Sequence, residues 1–594
     1  MKHFLKIQSW KNICRFISYI WGIDKYHLLG NIAIRLASIF VPIISLYVGK
    51  LIIDELVYSK DFNKIILYLG IEAIIVICSN ILSRISSYLN QKLNYNYELY
   101  TSTKIIKQFN MLSLQQIENA EIKSKLYLAK NESHDGSSLI NELLGGTECA
   151  CSIISLSMAI IAYNHIAILF FIITAFIIFI SETHFYSYIY KLQRKWIPER
   201  RKTDYYYDLL TTDEYYKEIK LLRSLSFFSK LFFKKKKKFQ EENLRIQKKR
   251  LIVNILLYTI NLAVYYYIYF IFINNVLIGL ITIGTLTYIS GILLTLRNRI
   301  NTFFNSVAWL NDRASYLNDF FSFFSLHSRE EIITTKVDCC ITNADGLVFS
   351  HVGYKYENQN NWAVYDLCFH IKKGERVLIM GLNGSGKTTI IKLICKLYTP
   401  TEGKIYLNGE NIENIENNYY FQQIGAIFQD YIKYEMTVAE NISLGDLNHF
   451  NDLSKIEFCT NMSRIDNLID SLPNKYQQQL GKLFKDGIQL SGGEWQKIAI
   501  ARLLYGDHSI LLLDEPSSAL DVLSERNLYQ ELLSNQTKNG KTVIIVSHRI
   551  SNLRDINHVI FLKKGIIIKN EILEEPIKND NFHDDIFNAY SEEH

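Results

Sequence analysis

Eight residues, Gly381–Thr388 (GLNGSGKT), constrain this chain more than any other stretch. The apolar run Arg376–Met380 (RVLIM) comes before them and reads as a buried strand. Thr389–Lys396 (TIIKLICK) comes after them and reads as a helix. Strand, glycine-rich loop and helix together make a phosphate-binding loop. Gly381, Gly384 and Gly386 let the backbone bend, so that successive N–H groups converge on one phosphate. The helix start adds its positive dipole end. Lys387 is placed to reach the β- and γ-phosphates, and the Thr388 hydroxyl to ligate Mg²⁺. Asn383, Ser385 and Thr389 complete the expected binding set. A glycine turn of purely structural use would not need the whole octet.

At 594 residues the chain is too long for one core, so two or more domains are expected. Hydrophobic residues make up 48% and charged residues 21%, with only 6 prolines, which fits an apolar half joined to a soluble one. The net charge of +6 is modest. Five lysines, Lys234–Lys238, raise nucleic acid as a partner. Flanking Phe232, Phe233 and Phe239 fit a helix near a membrane face better, and a solvated basic face is the simplest reading. The 9 cysteines form no CxxC pair and are read as reduced, structural thiols. Met1–Trp10 lacks the apolar core of a cleavable signal.

The first half holds six apolar segments, 27–53, 64–88, 143–163, 166–190, 251–273 and 281–305. Each is near the ~20 residues that cross a bilayer. Arg35 and Arg297 are expected to snorkel or to face a cavity. Glu72, deep in the second segment, should face the bundle interior, where it could touch a cationic cargo or pair with another helix. Long polar connections follow the second and fourth segments, and the other turns are short. The N-terminal arm (Lys2, Lys6, Lys11, Arg15, Lys25) and the fourth-to-fifth connection (Arg200, Arg201, Lys202 and the lysine run) are basic. The positive-inside bias therefore puts both termini and the long connections in the cytoplasm. Glu199–Arg223 has apolar and aromatic residues at helical spacing.

Residues 306–343 read as a helix running into a polar linker, which suggests domains at 1–335 and 336–594. Beyond it, Gly346–Phe349 and Asp366–Phe369 read as strands. Tyr356 could stack on adenine or pack in a core. Ala426–Asp430 (AIFQD) puts Gln429 at a strand end. Leu490–Gln496 (LSGGEWQ) opens a helix, and Ser491, Gly492 and Gly493 form a second anion-binding surface there. Ile510–Glu515 (ILLLDE) is a buried strand ending in two carboxylates at the edge where open α/β sheets bind ligands. Asp514 is suited to hold Mg²⁺ through water, and Glu515 to polarise the attacking water. Val543–His548 (VIIVSH) is another buried strand, ending in a histidine within reach of a γ-phosphate.

In this order and spacing the motifs resemble those of ATP-binding cassette (ABC) exporter half-transporters, over nearly the whole chain. The resemblance implies an all-α membrane domain of six transmembrane helices with long cytoplasmic extensions, followed by an α/β P-loop NTPase domain. It implies ATP and Mg²⁺ as cofactors. Gly381–Thr388 would be the phosphate loop, and Gln429 a metal and catalytic contact. Ser491, Gly492, Gly493 and Glu494 would be the signature. Asp514 would be the magnesium aspartate, Glu515 the catalytic glutamate and His548 the switch histidine. Ser518–Asp521 would contact the second copy, and Tyr356 would stack on adenine. A homodimer follows, because one such domain cannot close its own site if the signature must cap ATP on the phosphate loop.

Phe428–Glu435 (FQDYIKYE), Gln489–Lys497 (QLSGGEWQK) and Asp213–Leu221 (DEYYKEIKL) resemble exporters of nisin-, subtilin- and epidermin-type lantibiotics. Two departures stand out. Glu494 replaces the glutamine of many family members. Leu480–Gly487 (LGKLFKDG) lacks the glutamate common to exporters, which puts cross-talk with the membrane helices there in doubt. The first membrane segment begins near residue 27, leaving no room for an N-terminal peptidase, so a leader would leave attached. The resulting expectation is ATP-driven export of a leader-bearing lantibiotic or bacteriocin precursor across the cytoplasmic membrane. Its partners would be a second copy, the peptide, the lipid bilayer and peptide-modifying enzymes, but no nucleic acid. The alternative is a multidrug or lipid exporter of the same architecture. A soluble ABC ATPase acting on nucleic acid conflicts with the six apolar segments. A catalytically silent half conflicts with Lys387, Glu515 and His548.

Overall fold

A computed structural model describes residues 7–161, 163, 165–326, 345–356, 359–515, 540–547 and 556–573. The chain divides into two compact units. One comprises Met1–Leu112 and Asn119–His327, the other Ser113–Glu118 and Ser328–His594. The boundary expected at 335/336 lies outside the described residues. The inclusion of Ser113–Glu118 in the second unit was not anticipated from sequence.

The first unit is helical: α1 (Ile7–Ser38), α2 (Phe40–Asp54), α3 (Phe62–Asn110), α5 (Ala120–Ile161), α6 (His165–Thr211), α7 (Asp213–Leu221), α8 (Leu225–Leu277) and α9 (Ile283–Phe324), with the short α4 (Leu114–Glu118) belonging to the second unit. Among the described residues, five stretches are long and apolar enough to cross a membrane: Trp10–Ser59, Phe62–Asn110, Gly136–Ile161, Leu169–Thr211 and Leu225–Leu277. The 49 residues of α3 extend over about 74 Å at ~1.5 Å per residue, far beyond a ~30 Å hydrocarbon layer. Ile66, Leu67, Ile74, Ile77 and Ile81 on α3 are all more than half exposed, and lipid satisfies such an apolar face.

The sixth segment, 281–305, is helical within α9 but is not among those five stretches. Its apolar run stops at Arg297 and Arg299. The helix tolerates these charges because it packs against protein: Ile289, Ile292, Leu293 and Leu296 are fully buried, with Leu156, Phe171 and Ile268 in the same cluster. Asp54, at the end of α2, accepts from Gly284 N at 3.0 Å and from the Thr282 hydroxyl at 3.1 Å, so it helps cap α9. A Cβ on Gly284 would sit 2.5 Å from that carboxylate, so the close approach needs glycine there.

α1 is broken at Asp24 (φ −155°, ψ 79°). The Asp24 carboxylate accepts from His27 N at 3.1 Å and from the Asn96 amide at 2.6 Å, which restarts the helix near the expected residue 27. The lysine run lies on α8, where Lys235 pairs with Glu199 and Lys238 stands over the Trp196 ring.

Several charges within the helical unit are paired across helices. Glu148 on α5 meets Arg35 at 3.1 Å and Arg299 at 3.0 Å. Glu182 on α6 meets Arg250 on α8 at 2.8 Å, and Arg297 donates to Asn261 at 2.5 Å. Glu72 is half-buried and makes no ion pair among the described residues.

The second unit holds two sheets. The antiparallel sheet contains β1 (Leu347–Tyr354), β2 (Val364–Ile371), β4 (Glu402–Leu407) and β5 (Glu410–Asn411), ordered β2-β1-β4-β5. The other has six strands: β3 (Arg376–Gly381), β6 (Ile424–Ile427), β7 (Ile510–Asp514), β8 (Thr542–Val546), β9 (His558–Lys563) and β10 (Ile566–Ile572). Its order is β10-β9-β3-β8-β7-β6, parallel except where β10 pairs with β9. The helices are α10 (Lys387–Ile394), α11 (Asn417–Gln423), α12 (Val438–Ser443), α13 (Leu453–Met462), α14 (Asp466–Ser471) and α15 (Gly492–Tyr505). β7 and β8 are buried at every residue, so their near-continuous apolar runs follow from coverage on both faces. Tyr398 Oη donates to Glu118 at 2.7 Å, and Leu114 packs on the core, which ties α4 to this unit.

Glu182→Ala removes the partner of Arg250 from a nearly closed site, the Glu182 side chain being 3% exposed. Breaking such a pair by deleting one partner costs about 3–5 kcal/mol. Thermal unfolding in detergent is expected to begin at a clearly lower temperature for this variant. An unchanged melting curve would remove the pair from the forces that hold the bundle.

Candidate functional site

Four candidate elements emerge at one edge of the six-stranded sheet because β3, β6, β7 and β8 run parallel. Ile379 on β3 and Asp514 on β7 both pair with Val546 on β8, and Ile427 on β6 pairs with Leu513. The C-terminal ends of these strands therefore lie side by side.

The loop after β3 depends on its glycines. Gly386 has φ 102°, and a Cβ there would lie 2.6 Å from Val364 and 2.8 Å from the Ala363 carbonyl oxygen. Gly381 has φ 157°, and a Cβ would meet the Leu562 carbonyl at 2.4 Å. Lys387 is buried and folds back on its own loop, donating to the carbonyls of Gly381 at 2.7 Å and Leu382 at 3.1 Å. Burial lowers its pKa, while Glu515 and Asp514 pull it back up. Ser385 is buried, and its hydroxyl oxygen makes no hydrogen bond among the described residues. Tyr356 bonds its hydroxyl to Thr389 on the first turn of α10 at 3.1 Å and sets its ring edge-on to Tyr398. Its body is packed on the core, and its tip lies beside the phosphate loop.

Asp514 ends β7, only 2% exposed, with one carboxylate oxygen unpartnered among the described residues. Burial raises its pKa from 3.8 to about 6; the Thr388 side chain and Lys387 pull it down, while Glu515 and Asp430 push it up. Asp514 oxygen and Thr388 hydroxyl are hard ligands, the donor set that suits Mg²⁺. Glu515 follows at φ 46°, left-handed backbone that is rare for such a residue. Its N–H is fixed to the Val546 carbonyl at 2.9 Å. Gln429 Nε2 reaches its carboxylate at 3.3 Å. A strained residue presenting a carboxylate beside a lysine and an aspartate suits an acid–base role.

Ser491 caps α15. Its hydroxyl accepts from Glu494 N at 3.3 Å, and Glu494 accepts from Ser491 N at 2.7 Å. This closed capping box explains the departure at Glu494, since glutamate and glutamine both close it. Gly492 and Gly493 form the first turn. Among the described residues, no hydrogen bond or ion pair joins this turn to Gly381–Thr388. His548 and Asp521 lie outside the described residues.

Sequence reasoning missed the residues that stitch Gln429–Glu435 to α15. Tyr431 donates to the Gly492 carbonyl at 3.1 Å. Arg502 donates to the Ile432 carbonyl at 3.3 Å and covers the Tyr434 ring at 4.7 Å. Glu435 accepts from Leu483 N at 2.5 Å and lies against Gly481, whose φ is 92°. A glutamate from elsewhere in the chain thus enters the stretch that lacks its own. The only available signal was that Tyr431, Tyr434 and Glu435 fall in the FQDYIKYE string.

The family profile described as "ABC transporter" matches residues 364–518. The subtilin transport ATP-binding protein of Bacillus subtilis is 30% identical over 580 residues, covering 96% of this chain and 92% of that protein. The nisin transport ATP-binding protein of Lactococcus lactis subsp. lactis is 28% identical over 92% of this chain and 91% of its own. An ATP-dependent lipid A-core flippase of Ralstonia nicotianae is 31% identical over 40% of this chain and 39% of its own. A bacterial Atm1-family ABC exporter solved with ATP bound superposes with a TM-score of 0.77 over 96% of this chain and 97% of that one, at 19% identity, a likeness of fold.

Two outcomes are expected of the carboxylates. Folding raises the Asp514 pKa, so its ionised form destabilises the nucleotide-free fold; the penalty is complete above about 6 and disappears as pH falls toward 3.8. Asp514→Asn should therefore raise the melting temperature near pH 8 and lose that advantage near pH 4. An advantage independent of pH would mean that Asp514 is not the titrating group. Glu515→Gln keeps the side-chain size and hydrogen bonding but cannot take a proton. ATP hydrolysis should fall about 10²–10⁴-fold while ATP binding persists. Turnover at the wild-type rate would exclude Glu515 as the base.

Proposed function

The chain belongs to the ABC transporters, as a membrane-embedded exporter that binds and hydrolyses ATP, and from that premise we propose that it exports a lantibiotic-type peptide across the cytoplasmic membrane as a homodimer. One observation carries the cargo assignment. The similarity to the subtilin and nisin transport proteins extends over nearly the whole chain, membrane helices included, whereas the lipid A-core flippase and a β-glucan exporter each match over 40% of it. Cargo is selected by the membrane helices, so similarity that includes them says more about cargo than similarity over part of the chain. Lipid or drug export by the same machinery is the second reading, favoured by those partial matches.

In this proposal Gly381–Thr388 cradles the ATP phosphates through backbone N–H groups, with Asn383, Ser385 and Thr389 in the same set and Tyr356 beside the adenine. Thr388, Asp514 and Gln429 hold Mg²⁺, which supplies positive charge against the β- and γ-phosphates. Glu515 orients and deprotonates the attacking water, with Gln429 and His548 as further catalytic residues. Ser491, Gly492, Gly493 and Glu494 of the second copy cap the nucleotide, and Asp521 serves the dimer contact. The termini lie in the cytoplasm, and the ATPase domain covers about 336–594.

A producing strain that lacks this protein should retain the modified peptide inside the cell, and the Glu515→Gln chain should not restore secretion. Normal peptide secretion by the deletion strain would overturn the cargo assignment and leave the ATPase assignment standing.

A further inference from the structure

The outer face of the antiparallel sheet carries a side-chain cluster that ATP chemistry does not use. Asp366 and Cys368 stand two residues apart on β2, so they project from the same face, and both are exposed. The neighbouring strand β1 is irregular at this level. Phe349 pairs with Phe369 and Val352 pairs with Leu367, so Ser350 and His351 together oppose the single residue Cys368. That is a β-bulge, and bulges re-aim side chains. His351 adopts φ 48° and Asp366 φ 50°. Gly403 on β4 allows the bulge: a Cβ there would lie 2.1 Å from the His351 carbonyl oxygen.

The bulge brings three unlike donors together. His351 Nδ1 lies 2.7 Å from Asp366 Oδ1 and 3.4 Å from Cys368 Sγ. All three donor atoms fall within 4.8 Å of one another. A tetrahedral zinc with bonds of about 2.0 Å to nitrogen and about 2.3 Å to sulfur puts those two atoms about 3.5 Å apart. The nitrogen–sulfur separation here is nearly that edge. A paired imidazole and carboxylate alone would be an ordinary surface ion pair. The thiol changes the chemistry, because a soft sulfur ligand beside imidazole selects a borderline-soft divalent ion over Mg²⁺ or Ca²⁺.

We propose that His351, Asp366 and Cys368 form a Zn²⁺ site on the outer face of the antiparallel sheet, with the fourth coordination position open to water. Binding releases the Cys368 thiol proton to solvent, forming a zinc–thiolate bond. The imidazole binds through Nδ1 with its proton on Nε2, and the carboxylate exchanges its hydrogen bond to the ring for a bond to the metal. Because a proton is released, affinity rises with pH. Exposure of all three side chains makes the site accessible to exogenous metal without opening the fold.

The test uses the full-length chain in detergent, stripped of metal and titrated with Zn²⁺ against a chromogenic chelator, with Co²⁺ as the spectroscopic probe. One Zn²⁺ per chain and a cobalt–thiolate charge-transfer band are expected. Cys368→Ser and His351→Ala should abolish the band. Asp366→Asn should weaken binding at least as much as the roughly 10–100-fold lost with an outer-shell partner. ATP hydrolysis should be unchanged in all three variants. In the unmodified chain, Zn²⁺ should slow alkylation of Cys368, located by peptide mass, and leave exposed Cys14 and Cys78 as reactive as before. A thiolate band that survives Cys368→Ser, or alkylation of Cys368 that Zn²⁺ does not slow, would overturn the site.

Discussion

The Asp514 carboxylate is closed off from solvent, has one oxygen without a hydrogen-bond partner among the described residues and lies within electrostatic reach of Lys387. Desolvation opposes its charge, and the burial of β7 at every residue imposes that desolvation. The rest of the second unit can be understood as support for this placement. β8 lies between β7 and β3 and holds both in register, so the carboxylate and the phosphate loop open at one edge. Glu515 takes a left-handed backbone, and the Val546 carbonyl fixes its amide. Removing any of these supports would leave a buried charge without the geometry that gives it a use.

The helical unit meets the opposite problem with the same physics. Its outer surface is apolar because hydrocarbon cannot solvate polar groups, and its interior carries charge because neighbouring helices can. Glu148 joins α1, α5 and α9 through two arginines, and Glu182 joins α6 to α8. These ion pairs cross between helices, which makes them fasteners of helix position. The same logic explains why α9 carries Arg297 and Arg299 in an otherwise apolar run: its apolar residues face protein.

Within the second unit, the stretch from Gln429 to Glu435 links three motifs that lie far apart in the chain. Gln429 touches Glu515, Tyr431 touches Gly492, and Glu435 holds the turn at Leu483. Displacement of any one residue in so short a segment moves the others. This gives a physical route between the Glu515 carboxylate and α15, carried by hydrogen bonds and by Arg502 over Tyr434.

The sequence by itself determined the elements whose signals are local. The glycines of the phosphate loop, the buried runs ending at Asp514 and Val546, and the segments of bilayer length each declare themselves within about 20 residues. The tertiary structure decided what depends on partners distant in the chain. Whether Arg35 snorkels or pairs depends on Glu148, more than a hundred residues away. Glu435 reaches the 480–487 turn only because the fold brings Leu483 to it. Parts of β1 and β2 of the antiparallel sheet were legible as separate strands, but the bulge between them was not. A bulge is a mismatch between two strands, so neither strand encodes it alone, and the side chains that His351, Asp366 and Cys368 bring together had no common pattern to read.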